Sequence, residues 1–412
     1  MARSVSIFDV SALPFWRRPI FLLFIMAVAM PIAFNVWSAL LNNFVIQVAD
    51  FDGSDIGLLH TVREIPGFLA VGVILLIMVI KEQTLGLVSL AVLGIATAVT
   101  AYFPSMTGLL IVTLISSFGF HYFETINQSL QLQWLPKGKA PEIMGWLFGA
   151  GSIATLFAYI GIIVGWQKLG LSFNFLYLSS GGLTVLIAVL CLFFFPSFKT
   201  EAKPITKLVI RRRYWLYYAL EFLSGARRQI FVVFAAFMMV EKFGFEVHQL
   251  TALFLINLVI NIFVAPLFGY FIARFGERRA LLIEYSGLIC VFLAYGGIYI
   301  FDWGVVVAAT LFVLDHLFFG LRIALKTYFQ KISSPEDIAP TAAVALTINH
   351  IAAIFLPVLF GLLWLVSPTI VFVAAAVLAL LSFLLALLVP NYPVIGNETL
   401  LISKTYSKYK NG

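Results

Sequence analysis

Four arginines and four acids stand inside long apolar runs of the chain. The arginines are Arg63, Arg227, Arg228 and Arg322; the acids are Glu64, Glu124, Glu221 and Asp315. A guanidinium keeps its proton and grips a carboxylate or phosphate with two parallel N–H donors. A carboxyl group or imidazole in the same surroundings can take up a proton and give it back. The chemistry on offer is therefore binding of an anionic or zwitterionic solute, coupled to proton movement. Glu124, Asp315, Glu221 and His121 are the candidate proton carriers. Arg227, Arg228, Arg322 and Arg63, with Asn35, Trp37 and Gln128, are the candidate solute contacts. Four cations against four ionised acids is a neutral balance, and burial favours the protonated acid, so the site is neutral to positive. Glu284 is left out of this balance as lying near the inner interface. His121 and Glu124 with Asp315 and His316 also suit a divalent metal. The nearby arginines repel cations, so neither a metal nor a cofactor is expected, and no nucleophile constellation indicates an enzyme.

Helical spacing sorts these residues into faces. His121, Glu124, Gln128 and Gln131 recur at intervals of three and four. Glu221, Ser224 and Arg228 form a second stripe, and Asp315, Arg322 and Lys326 a third. Arg227 and Arg228 are adjacent, so they point about 100° apart. One is expected to face a cavity and the other to pair with a neighbouring helix.

The elements that carry these stripes must cross a membrane. Of 412 residues, 62% are hydrophobic and 11% charged; a soluble domain is about 25% charged. Soluble enzymes and nucleic-acid binders are excluded on that ground. A crossing helix takes about 20 apolar residues. Apolar runs centred near Met30, Val71, Leu93, Phe118, Ile153, Thr184, Arg227, Val259, Cys290, Asp315, Ala352 and Leu378 predict twelve of them. The class is an all-α membrane protein. Cys191 and Cys290 lie in apolar runs and read as small hydrophobes. No cleavable leader follows Arg17-Arg18, so that apolar run is the first span.

The net charge of +7 reports orientation, not nucleic-acid binding. With the N-terminus inside, Arg17, Arg18, Lys81, the basic stretch Arg211-Arg212-Arg213, Arg274, Arg278, Arg279 and Lys331 are all cytoplasmic. The outer loops hold only Lys168 and Lys242, together with Asp50, Asp52 and Asp55. Lys and Arg concentrate on the inner side, which puts both termini inside. A shift of nearly half the chain recurs at three points. It relates Arg17-Arg18 to Arg212-Arg213, His121 to His316, and Pro141-Glu142-Ile143 to Pro335-Glu336-Asp337-Ile338. The chain therefore divides into two pseudo-symmetric six-helix halves, residues 1–198 and 214–390. A basic linker at 199–213 joins them, and a cytoplasmic tail at 391–412 follows.

After the eighth span comes Gly269, then Ala273-Arg274, Gly276 and Arg278-Arg279. This resembles the cytoplasmic loop signature of the major facilitator superfamily, with Ala273 where that family has Asp. The equivalent first-half loop, Lys81 to Gly86, has lost the pattern. Asn349-His350 followed by Pro357 and Gly361 is similar to the family's eleventh helix. Gly145, Gly149 and Gly151 in the fifth span lack the proline of its drug–proton antiporters. The resemblance implies alternating access, with helices one, four, seven and ten lining a central cavity. It also implies that Gly269, Arg274, Gly276, Arg278 and Arg279 act as a conformational loop. The expectation is a monomeric, multi-pass secondary transporter of the inner (plasma) membrane. It would move a small organic solute, leaning to an anion, with protons. The alternative is a proton-driven exporter of lipophilic compounds.

Overall fold

The computed structural model describes residues 4–6, 13–136, 139–199, 210–334 and 337–401. Most of the linker 199–213, the end of the tail 391–412 and the Pro335-Glu336 pair lie outside them. In hydrocarbon every backbone N–H and C=O must be satisfied within its own segment, so apolar runs of this length fold as helices. Fifteen helices are described. They are α1 (Pro19–Gln47), α2 (Gly53–Phe68), α3 (Val73–Ile77), α4 (Glu82–Val99), α5 (Met106–Trp134), α6 (Ala140–Leu169), α7 (Phe173–Phe194) and α8 (Trp215–Gln229). There follow α9 (Ala236–Glu241), α10 (Val247–Phe275), α11 (Glu277–Ile300), α12 (Val305–Gly320), α13 (Ile323–Ile332), α14 (Ile338–Val366) and α15 (Pro368–Ala386).

Eleven of the resulting segments are long and apolar enough to cross a membrane. The remaining expected span is α2, a 3-10 turn at Leu69–Gly72, and α3. It runs from Gly53 to Ile77, earlier in the chain than a centre at Val71 implies. Its first half is too polar to register as apolar, because it carries His60, Arg63 and Glu64. Two more spans are irregular. The seventh passes from α8 into a π segment, Ile230–Ala235, before α9. The tenth breaks between α12 and α13, where Leu321 and Arg322 interrupt the helix.

The chain forms two compact units. The first comprises Met1–Asp50, Val62–Thr206 and Phe245–Leu255; the second comprises Phe51–Thr61, Lys207–Gly244 and Ile256–Gly412. The first unit's core includes Leu22, Met26, Leu90, Leu93, Phe123 and Ile126. Here α4 and α7 approach until a Cβ on Gly94 or Gly181 would overlap the other helix's backbone. A short parallel pair, β1 (Ser4–Ser6) with β2 (Ser197–Lys199), joins the unit's two ends. The second unit's core includes Leu216, Leu220, Leu281, Tyr285, Leu325 and Tyr328. Gly225 of α8 abuts the backbone of Asn349 on α14. Also in this unit, the Thr61 hydroxyl donates to the Ile354 carbonyl at 2.8 Å and accepts from Val358 N–H at 3.1 Å. It thus stands inside the ladder of α14 beside Pro357, a bridging arrangement that lets the helix bend. Large apolar side chains such as Phe157, Phe193, Phe263 and Phe355 face outward, as a lipid-facing surface requires.

Candidate functional site

In the second unit the strongest chemistry gathers just before the π segment. Such segments are rare and frequent at functional sites. Arg227 closes on it and is 1% exposed. Its Nη2 lies 3.6 Å from Glu284 Oε1 on α11, and its guanidinium sits over the Tyr285 ring at 4.2 Å. That separation makes an ion pair but is beyond a hydrogen bond. Asp315 on α12 is buried and within electrostatic reach of Arg227. All three guanidinium nitrogens, both Glu284 oxygens, Asp315 Oδ2 and both amide atoms of Gln229 lack a hydrogen-bond partner among the described residues. Buried polar groups are nearly always hydrogen-bonded, so this concentration marks a place built for more than packing.

Glu221 accepts from Asn349 Nδ2 at 3.2 Å, and its backbone carbonyl accepts from the same amide at 3.1 Å. Arg228 is half-buried. His316 lies against the Phe231 ring, with centroids 5.2 Å apart. Arg322 sits in the break between α12 and α13, over Phe319 at 5.3 Å. Sequence reasoning expected one of the arginine pair to meet another helix, and Arg227 does so. The partner is Glu284, a residue outside the charge balance drawn from the sequence. Glu284 is fully buried, two turns into α11 from its start at Glu277.

The first unit offers a different surface. Phe34 on α1 stacks on Phe120 of α5, with centroids 4.2 Å apart. His121 meets the edge of Phe120. These rings line a recess of about 20 Å3 with Trp37, Arg63, Thr113, Ser116 and Ser117. Arg63 pairs with its chain neighbour Glu64 at 2.7 Å. The Ser117 hydroxyl donates to the Arg63 carbonyl. Of the residues expected here, Trp37, Arg63 and His121 come together. Asn35 instead donates to Thr155 Oγ1 on α6 at 2.8 Å. Glu124 is half-buried and Gln128 exposed, further along α5.

The sequence profile of the Major Facilitator Superfamily matches residues 22–357. The chain belongs to the major facilitator superfamily. It is thus a multi-pass membrane transporter by family. A solved structure of a mutant of the nucleoside transporter NupG is similar at 16% identity, with a TM-score of 0.74, over 90% of this chain and 99% of that one. So is a bacterial homolog to the human lysosomal transporter Spinster, inward-facing and unoccupied. It is 14% identical, with a TM-score of 0.71, over 96% of this chain and 98% of that one. No curated protein sequence matches the chain. The solved structures share the superfamily fold across nearly all of this chain.

The superfamily loop signature folds as a tight corner. Gly276 has φ of +86°, a conformation that glycine adopts without strain. Arg274 donates to the Tyr270 hydroxyl at 3.0 Å and Arg278 to Asn391 Oδ1 at 3.4 Å. Glu277 pairs with Lys331 at 2.6 Å. Gly269 meets nothing that would crowd a side chain. At the start of α14, Asp337 is held by Arg211 and Arg213, each at 3.0 Å, and by the Tyr214 hydroxyl. The Arg211 guanidinium holds the Asp337 carboxyl below its ordinary range.

Proposed function

We propose that this superfamily member is a secondary active transporter of a small organic anion, coupled to protons and working by alternating access. One observation carries the reading: a fully buried arginine, Arg227, has an acid on each of two neighbouring helices, and among the described residues none of its guanidinium nitrogens meets an acceptor at good hydrogen-bond geometry. An anionic group can supply that acceptor. Its arrival would compete with Glu284 and Asp315 for the guanidinium, and a carboxylate released from its pair takes up a proton more readily. Arg228 and Arg322 lie on the same unit and add positive potential. Glu124, Glu221 and His121 remain the further candidate proton carriers, with both termini placed on the cytoplasmic side of the inner membrane.

A second reading is favoured by the stacked Phe34–Phe120 pair beside Thr113, Ser116 and Ser117. Rings and hydroxyls suit an uncharged planar, hydroxyl-bearing solute, the chemistry of the nucleosides that NupG carries by its name. Proteoliposome flux separates the readings. The panel holds organic anions, nucleosides and lipophilic cations, with and without an imposed proton gradient. Anion flux driven by the gradient, and lost at least about tenfold in Arg227→Gln, is expected. Nucleoside flux indifferent to that substitution would replace the anion reading with the second. Lipophilic-cation flux alone would make the protein an exporter of such compounds.

A further inference from the structure

The loop signature and the chain beyond α15 border an open pocket of about 540 Å3 that the transport reading does not use. Four cationic side chains line it, Arg274, Arg278, Arg279 and Lys331, against the single carboxylate of Glu277. One oxygen of that carboxylate, Oε1, pairs with Lys331. Arg274 and Arg278 have neutral partners, a tyrosine hydroxyl and an asparagine amide oxygen, so neither is neutralised by them. The opposite wall is Asn391–Val394, just past α15. This wall is tied to the segment that follows it: Asn397 donates its side-chain amide to the Tyr392 carbonyl and its backbone N–H to the Val394 carbonyl, each at 2.9 Å, and that segment is anchored in turn. The Leu400 N–H donates to the Leu388 carbonyl at 2.9 Å, and the Tyr328 hydroxyl donates to the Glu398 carbonyl at 2.6 Å. This is therefore a formed basic pocket with a fixed back wall. Its rim includes exposed aromatic and apolar side chains, Phe275, Tyr392 and Val394. Aromatic rims of this kind mark headgroup depth in a bilayer, and basic pockets at that depth hold lipid phosphates.

We infer that this pocket binds a phosphate-bearing anion, gripped by Arg274, Arg278 and Arg279. The chemistry is common to a phospholipid headgroup and to a free phosphate. Planar guanidinium forks match phosphate oxygens in pairs, which ammonium groups do not. The deep arginine at Arg227 plays no part, so the inference stands apart from the identity of the transported solute.

The test is thermal stability of the purified full chain in neutral detergent. Phosphatidylglycerol, phosphatidylcholine or inorganic phosphate is titrated in turn. A ligand that binds the folded state raises the apparent melting temperature with concentration. Stabilisation by phosphatidylglycerol above phosphatidylcholine, with no response to phosphate, supports a lipid source. Stabilisation by inorganic phosphate supports a soluble source. Either response should weaken by about tenfold or more in apparent affinity in the Arg278→Gln, Arg279→Gln double variant. Equal response to both lipids with none to phosphate, or an unchanged response in the double variant, overturns the proposal. Should that variant fold poorly, photo-crosslinking of a phosphatidylglycerol analogue to the unaltered chain decides instead. Labelling of the peptides spanning 274–279 and 391–394 is expected, and labelling spread evenly over all loops overturns it.

Discussion

In the first unit Arg63 and Glu64 are chain neighbours and meet at 2.7 Å; in the second, Arg227 and Glu284 come from different helices and stop at 3.6 Å. The first pair is local. It needs no other helix to form, and Arg63 keeps 13% of its side chain exposed. The second pair depends on α8 and α11 being packed, and both partners are 1% exposed. A buried charge is tolerated only with its partner, and taking one partner away costs about 3–5 kcal/mol. The comparison teaches that the two units store charge differently. The first keeps a closed pair beside an aromatic recess. The second holds an open, long-range pair whose donors remain available.

Substitutions can break or sharpen this contrast. The largest effect is expected from Arg227→Met, which strands Glu284 and should lower stability by about 3–5 kcal/mol. Adding Glu284→Gln should recover much of that loss, and a double-mutant cycle on denaturation midpoints reads the coupling. Additive effects would show that the two do not act as a pair. Arg63→Met in the first unit should cost clearly less, because the side chain is partly exposed and its partner is local. Equal losses at both sites would erase the distinction.

Next in size is a test of how closely helices approach. Gly225→Val should cost at least about 1–3 kcal/mol by overpacking against Asn349, which also holds Glu221. Gly181→Val should do the same in the first unit, where no charged residue is disturbed. A transport defect beyond the stability loss is expected only for Gly225→Val. Thr61→Val is expected to cost about 1–3 kcal/mol, since it removes the hydroxyl that serves Ile354 and Val358. Thr61→Ser, which keeps the hydroxyl, should restore most of it.

The smallest effect lies at Asp337. Its carboxyl is held below the ordinary range by Arg211, so the folded state favours the ionised form. That contribution is fully present above the unfolded carboxyl's value and is lost as pH falls through the folded one. The melting-temperature gap between the native chain and Asp337→Asn should be open at pH 7. It should close as pH drops below about 4. A gap that persists at low pH would assign the effect to packing.

Much of the fold was legible because hydrophobic length alone sets a crossing helix. The runs around Met30, Leu93, Phe118 and Val259 are helices as their composition requires. The second span was legible as a span but misplaced, since polar residues in α2 hide its first half from any count of apolar positions. In the site, Arg227 and Asp315 stood out as charges within apolar runs, and they do share one unit. Glu284 did not stand out, because its depth depends on where α11 begins. That start is fixed by a single glycine at positive φ rather than by hydrophobicity. The π segment was illegible, for Ile230 to Ala235 are ordinary apolar residues with no compositional mark. Asn35 had the right type and span, but its hydrogen bond to Thr155 depends on how α1 meets α6.

The π segment has a consequence for ancestry. A single such turn is what an α-helix becomes when one residue is inserted and the flanking turns hold their places. Had the helix stayed α throughout, the insertion would have rotated everything beyond it by about 100°; the wider turn absorbs the extra residue instead. Arg227 and Arg228 thus answer to the register of α8, while Phe237 and Met239 answer to that of α9. A chain shortened by one residue within Ile230–Ala235 would close into a plain helix, both flanking registers kept and the wide turn next to Arg227 lost. One codon gained or lost is therefore enough to make or unmake this corner of the protein, a far shorter step than redesigning a helix.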